Sequence, residues 1–412
     1  MTIHRSIGLA ALLGLAACGG ATDPSEPPAL LEALPRELTA GELAAIAANN
    51  QFAFQLLNTI VADEPEPNAF VSPLSVSMAL GLVMNGARGD TRDAMAATLG
   101  FGALPQTQIN EAYRSLIALL LGLDERVEFS IANAVFTDKT YPVEPAFLSD
   151  ARQYFDAQAQ SLDFGSSTAL ATINQWVSDK TKGKIPTILD RIDRAEVLFA
   201  VNAIYFKGLW RERFDEGETR TGSFHAAGGS SQSVPMMRRT ERTPYYEGTD
   251  LEAVDLWYGA GAHTMTVILP SDGTTATELA ARLTAADFAT ITGGLINAEV
   301  TLELPRLRLE YKRSLRDDLE TLGMGIAFDP DRADLSGIGP NAPFITRVEH
   351  KTFVDLNEEG TEAAAATAVG VGVVSAPRTV TLRVDKPFLL AIRERLSGTI
   401  LFLGRINAIP GA

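Results

Sequence analysis

Histidine and cysteine, the side chains that most often serve as catalytic bases, nucleophiles and metal ligands near neutral pH, are few. Histidine occurs only at His4, His225, His263 and His350, and cysteine only at Cys18. No histidine has a partner at metal-ligand spacing, and no glycine-rich phosphate loop leads into a helix. Catalysis, a metal centre and a cofactor are therefore not expected. His225 reads as a strand-end hydrogen bonder, His263 in Gly261-Ala262-His263 as a turn residue, and His350 as a satisfied buried histidine.

One segment offers mechanical rather than catalytic chemistry. From Asn357 the chain runs Glu358-Glu359-Gly360-Thr361-Glu362-Ala363-Ala364-Ala365-Ala366-Thr367-Ala368-Val369-Gly370-Val371-Gly372-Val373-Val374-Ser375-Ala376-Pro377-Arg378, small and almost uncharged after Glu362. Written as a strand, it puts Thr361, Ala363, Ala365, Thr367, Val369, Val371 and Val373 on one face and Glu362 on the other, which suits burial on one side. Consecutive alanines, glycines and a proline are nonetheless poor strand formers, so the same residues equally suit an exposed loop. A segment that is loop in one state and strand in another is the working part of a spring.

At this point the chain resembles the serpin family. Glu358 to Ala366 is similar to that family's hinge, and Asp385-Lys386-Pro387-Phe388 to the strand after its reactive loop. Four further blocks match in order: Asn68-Ala69-Phe70-Val71-Ser72-Pro73-Leu74-Ser75; Val201-Asn202-Ala203-Ile204-Tyr205-Phe206-Lys207-Gly208-Leu209-Trp210; Ser223-Phe224-His225 with Val234-Pro235-Met236-Met237; and Ala333-Asp334-Leu335-Ser336-Gly337. The resemblance implies an α+β serpin fold of three β-sheets and about eight or nine helices, with an exposed reactive-centre loop at about residues 358–380.

It also implies a mechanism. A serine protease attacks the loop as a substrate and forms a covalent acyl-enzyme, and the freed hinge inserts into the main sheet before deacylation. Inward positions of the hinge must then be small and uncharged, as Thr361, Ala363 and Ala365 are. By carry-over, Ser72, Asn202 and His350 form the polar cluster beneath the opening of that sheet. Family spacing from the hinge glutamate places the scissile bond at Val374-Ser375, whereas counting back from Pro387 points to Ala376-Pro377, so the loop is about two residues longer than usual. Val373-Val374 suits a small apolar pocket and hence an elastase-like or subtilisin-like target, and Arg378 offers a trypsin-like alternative. The reading from another class is a non-inhibitory binding or storage serpin. A monomer is implied.

The elements that must position this segment can be read from periodicity. Helices are predicted at Gly41 to Val61 with Thr39 as a cap, Leu74 to Asn85 entered through Ser72-Pro73, Thr91 to Leu99, Gln108 to Leu121, Glu144 to Tyr154, Ala169 to Lys180, Ala276 to Leu283 and Ser314 to Leu322. Strands are predicted at Val127 to Phe136, Val197 to Phe206, Ser233 to Arg238, Glu252 to Trp257, Thr264 to Leu269, Ala298 to Pro305, Lys351 to Leu356, Val380 to Val384, Phe388 to Arg393 and Thr399 to Arg405. Helices gather early and strands late without regular alternation, which favours α+β in one domain at about 39–410. Trp176, Trp210 and Trp257 read as core, and the mixed charges of Glu310 to Asp318 as a solvated face.

The N-terminus reads as an address. Arg5 precedes a short apolar stretch and Leu15-Ala16-Ala17-Cys18, which resembles a bacterial lipobox: residues 1–17 would be the signal peptide and Cys18 the lipidated terminus. Residues 18–38, with Pro24, Pro27, Pro28 and Pro35, read as an extended tether with no core to join. The expected location is the bacterial cell envelope, with Gly19 after the cysteine resembling outer-membrane sorting. With one cysteine no internal disulfide is expected, and a net charge of −16 argues against nucleic acid as a partner.

Overall fold

The apolar spacing at Gly41 to Val61 becomes α1 (Ala40–Asp63) in the computed structural model, which describes residues 29–63, 68–361 and 379–411. Phe52, Phe54, Leu56, Leu57, Ile60 and Val61 face the core, whereas Leu43 is exposed. Glu42 takes a buried position instead. Its carboxylate accepts from the Thr39 amide (2.8 Å) while its own amide donates to the Thr39 hydroxyl (3.2 Å), a reciprocal cap to which Arg36 adds a two-pronged contact.

The first half continues with β1 (Ala69–Val71), α2 (Pro73–Met84), α3 (Gly89–Thr98), α4 (Gln106–Leu120), β2 (Val127–Asp138), α5 (Pro145–Phe155), β3 (Gln158–Leu162), α6 (Ser167–Lys180) and β4 (Leu198–Leu209). Proline at the start of α2 suits its first turn, and the Ser72 hydroxyl caps it by accepting from Ser75 N (3.4 Å). The second half holds β5 (Arg220–His225), β6 (Ser231–Glu247), β7 (Leu251–Tyr258), β8 (His263–Pro270), α7 (Ala276–Arg282), α8 (Ala285–Gly293), β9 (Ile296–Pro305), β10 (Leu307–Ser314), α9 (Arg316–Leu319), β11 (Glu349–Leu356), β12 (Gly360–Thr361), β13 (Thr379–Arg383), β14 (Phe388–Glu394) and β15 (Ile400–Ile406).

Among the described residues the strands form two hydrogen-bonded networks. One is a six-stranded sheet in the order β10-β11-β12-β4-β2-β3; the other runs β1-β15-β14-β8-β7-β6-β9-β13, with β5 on β6. The resemblance counts three sheets. Two of them are joined here because β6 is long enough to pair with β9 over Met236 to Tyr245 and with β7 over Tyr245 to Glu247. β14 and β15 are buried at every residue and so carry near-continuous apolar runs, while β11 alternates, with His350, Thr352, Val354 and Leu356 turned inward.

Several expectations are corrected. The charges at Glu310 to Asp318 hide β10, in which Leu307, Leu309 and Tyr311 are buried while Arg308, Glu310 and Lys312 face out. The helix expected at Ser314 to Leu322 is only α9, which passes into a wider turn at Glu320–Met324 because Gly323 takes φ 106°. The tether expected to lack a core is docked over its described part: Leu31 N donates to the Ala260 carbonyl (2.8 Å), and Arg395 reaches the Leu31 carbonyl.

Candidate functional site

The hinge enters the six-stranded sheet through two residues. Gly360 pairs with Leu209 and Thr361 with Gly208 on one side, and Thr361 pairs with Leu356 on the other. Gly360 is required there: it takes φ 154°, and a β-carbon on it would lie 2.1 Å from the Gly208 carbonyl oxygen. Just upstream, Trp210 N donates to the Glu359 carbonyl (2.8 Å), Trp210 Nε1 to that of Asn357 (2.9 Å) and Phe214 N to that of Glu358 (2.9 Å). The sequence reading gave Trp210 only a place in the core, but it also holds the hinge backbone.

Two side chains fix the hinge further. The Glu358 carboxylate is buried and accepts from Arg306 Nε (2.8 Å) and from the Thr219 hydroxyl (2.5 Å). Burial pushes its carboxyl up, but the Arg306 and Thr219 hydrogen bonds outweigh that and leave it below the usual carboxylate value. Thr361 is buried and shares a 2.7 Å hydroxyl contact with Tyr258, whose ring is stacked on Trp210 at 4.4 Å.

Beyond Thr361, β4 and β11 flank the same line of the sheet, and β12 is the one strand between them among the described residues. A cavity of about 310 Å³ lies against this line, with Ser72, Ser75, Asn202 and His350 among its lining. The predicted cluster is thus brought together, with more members than expected. Ser72 N donates to His350 Nε2 (3.0 Å) and Ser72 Oγ to the Leu401 carbonyl (2.8 Å). Asn202 joins through Ser75, whose hydroxyl donates to Asn202 Oδ1 (2.6 Å), and Asn202 Nδ2 donates to Asn133 Oδ1 (2.8 Å). Because His350 Nε2 accepts, its proton sits on Nδ1, and burial holds its pKa down to about 4.

Ser75 and Asn133 were missed by sequence reasoning. Ser75 follows the Ser72 cap by one helical turn, a signal that was available; Asn133 carries none. His263 is corrected: it begins β8, is buried, and lies between the rings of Phe129 and Phe206 (5.8 and 5.6 Å) with neither ring nitrogen hydrogen-bonded. His225 is exposed at the end of β5, and its backbone N donates to the Asp385 carbonyl (2.7 Å). Cys18, Glu362, Ala363, Ala364, Ala365, Ala366, Val374, Ser375, Ala376, Pro377 and Arg378 lie outside the described residues.

Known proteins share this fold. The profile of the serpin family, described as serine protease inhibitor, matches residues 47–409. The leukocyte elastase inhibitor of Homo sapiens is 35% identical over 375 residues, covering 88% of this chain and 98% of that protein. Among solved structures, the thermophilic serpin tengpin in its native state matches with TM-score 0.83 and 26% identity, over 93% of this chain and 97% of its own. Human thyroxine-binding globulin complexed with thyroxine matches with TM-score 0.82 and 27% identity, over 90% of this chain and 100% of its own.

Proposed function

The chain belongs to the serpin family and inhibits serine proteases, and we propose that it does so as a single-use substrate whose cleaved loop completes the six-stranded sheet, with an elastase-like or subtilisin-like enzyme as the target. The observation that carries this reading is β12, a two-residue strand already seated between β4 and β11. Antiparallel continuation of its pairing sets residues 362–371 opposite 207–198 of β4, and residues 362–368 opposite 355–349 of β11. Since Thr361 is inward, Ala363, Ala365 and Thr367 would also point inward. Thr367 would arrive between Asn202 and His350, where a hydroxyl can join the cluster and a bulky or charged side chain cannot.

The chemistry of trapping follows. The protease serine oxygen bonds to the Val374 carbonyl carbon, the Val374-Ser375 peptide bond breaks, and the Ser375 amine leaves with a proton from the protease histidine. Each inserted residue then gains ladder hydrogen bonds worth about 0.5–1.5 kcal/mol, so the segment gains on the order of 10 kcal/mol. That is sufficient to drag an ester-linked protease and distort its oxyanion hole, the loss of which slows deacylation by orders of magnitude. Ser72, His350, Asn202, Ser75 and Asn133 serve as the latch of the closed sheet. The leukocyte elastase inhibitor similarity and the small apolar Val373-Val374 both support the choice of target. Incubation with elastase, subtilisin and trypsin tests it: a denaturant-stable complex with elastase or subtilisin and a released peptide beginning at Ser375 are expected. A trypsin complex with release after Arg378 would overturn the target assignment.

The finer reading of location rests on the lipobox-like Leu15-Ala16-Ala17-Cys18. Lipid on Cys18 would anchor a monomeric inhibitor to a bacterial envelope, with Leu30 at most about 40 Å of chain from the anchor. Fatty-acid labelling that persists in Cys18→Ser would refute it.

A further inference from the structure

The segment that precedes α1 is tied to the same hairpin that holds the hinge. Leu31 N donates to the Ala260 carbonyl at 2.8 Å. Arg395 closes the other side, reaching the Leu31 carbonyl and donating from Nε to that of Gly261 at 2.6 Å, while its guanidinium lies 5.0 Å over the Trp257 ring. Leu30 covers the turn so closely that a β-carbon on Gly261, which takes φ 82°, would come within 2.5 Å of Leu30 Cδ1. Asp124 holds the turn from a third direction by accepting from Ala260 N (2.5 Å).

From this turn, contacts run straight to the hinge. Gly259 N donates to the Leu209 carbonyl (2.9 Å), next to the Gly360 pairing. Tyr258 stacks on Trp210 and shares its hydroxyl contact with Thr361. Trp210 in turn binds the backbone of Asn357 and Glu359. Every link is a packed or hydrogen-bonded contact with defined geometry, so displacement at Leu30-Leu31 leaves the Ala260 carbonyl without its partner and frees the turn on which Tyr258 sits.

We propose that Leu30-Leu31 is a strap that sets how readily the hinge is released. While it is seated, the 258–261 turn is fixed and Tyr258 holds Thr361; when it is displaced, the hinge frays and the sheet opens more often. The strap lies between Cys18 and the body, so whatever holds the N-terminus also loads the hinge. The proposal rests on the insertion reading above, and its test does not use inhibition as its sole readout.

The test is amide hydrogen exchange on the intact protein with Leu30→Asp, which expels the apolar cover, and Leu31→Pro, which removes the N–H donated to Ala260. Leu30→Met serves as the control that keeps the cover. Exchange at residues 258–261 and 357–361 is expected to rise about tenfold in the first two variants, with β14 and β15 unchanged. The uncleaved variants should also lose inhibitory activity on storage several-fold faster than the parent. Faster exchange at 258–261 with no change at 357–361 would overturn the coupling, and no change at either would overturn the strap. Should the chain prove not to insert its loop, the exchange result still reads the strap, so the two failures are distinguishable.

Discussion

Tyr258 and Thr361, 103 residues apart, share a 2.7 Å hydroxyl–hydroxyl hydrogen bond in a fully buried setting. The contact joins the end of β7 to the second of the two hinge residues seated in the six-stranded sheet. Burial pushes the Tyr258 phenol far above its ordinary value, so it stays protonated at every working pH.

Tyr258→Phe keeps the stack on Trp210 and removes only that bond. The uncleaved protein should lose about 1 kcal/mol of stability and convert spontaneously to an inactive, loop-inserted form several-fold faster. Native gel shift with time at constant temperature measures this; an unchanged rate would place Thr361 under other control.

Thr361→Arg places a charge where the side chain is 3% exposed. Without a partner a buried charge costs several kcal/mol, enough to stall insertion while leaving the loop cleavable. The variant should be consumed as substrate without forming a stable complex. If a complex still forms, insertion does not begin at this residue.

Gly360→Ala would drive a methyl group into the Gly208 carbonyl at a backbone angle that alanine resists. A loss of about 1–3 kcal/mol in the native state is expected from a urea midpoint. A neutral result would mean that the hinge is not seated as described.

Acid should weaken the closed sheet through two histidines. His350 and His263 each have pKa held down to about 4 by burial, against 6.5 for the ordinary side chain. The unfolded chain therefore binds more protons between about pH 6.5 and 4, so stability is complete above that window and falls by up to about 1.4 kcal/mol per unit per histidine within it. Burial thus moves the response of the His350 cluster below the ordinary histidine range. Denaturation midpoints at pH 7 and pH 4.5 measure it, and His263→Leu should remove one share of the slope.

Much of this was legible because local patterns and tertiary demands agree. Ser72-Pro73 fixes the start of α2, and the near-continuous apolar runs of β14 and β15 announce strands buried on both sides. The inward place of Thr361 was readable as well, since a side chain that enters a packed sheet must be small. What stayed hidden depends on separation along the chain. Glu358 meets Arg306 across 52 residues and Tyr258 meets Thr361 across 103, and neither pair leaves a local signature. β10 was masked because its outward charges dominate the composition, and the strap because Leu30 and Leu31 are just two apolar residues near prolines.

The central claim is that cleavage drives residues 362–371 into the line begun by β12. Amide exchange of β4 before and after cleavage by elastase tests it most directly, because those amides must gain new ladder partners. Strong protection appearing across residues 198–207 and 349–355 on cleavage is the predicted result. Unchanged exchange there, with the loop cut at Val374-Ser375, would contradict the account.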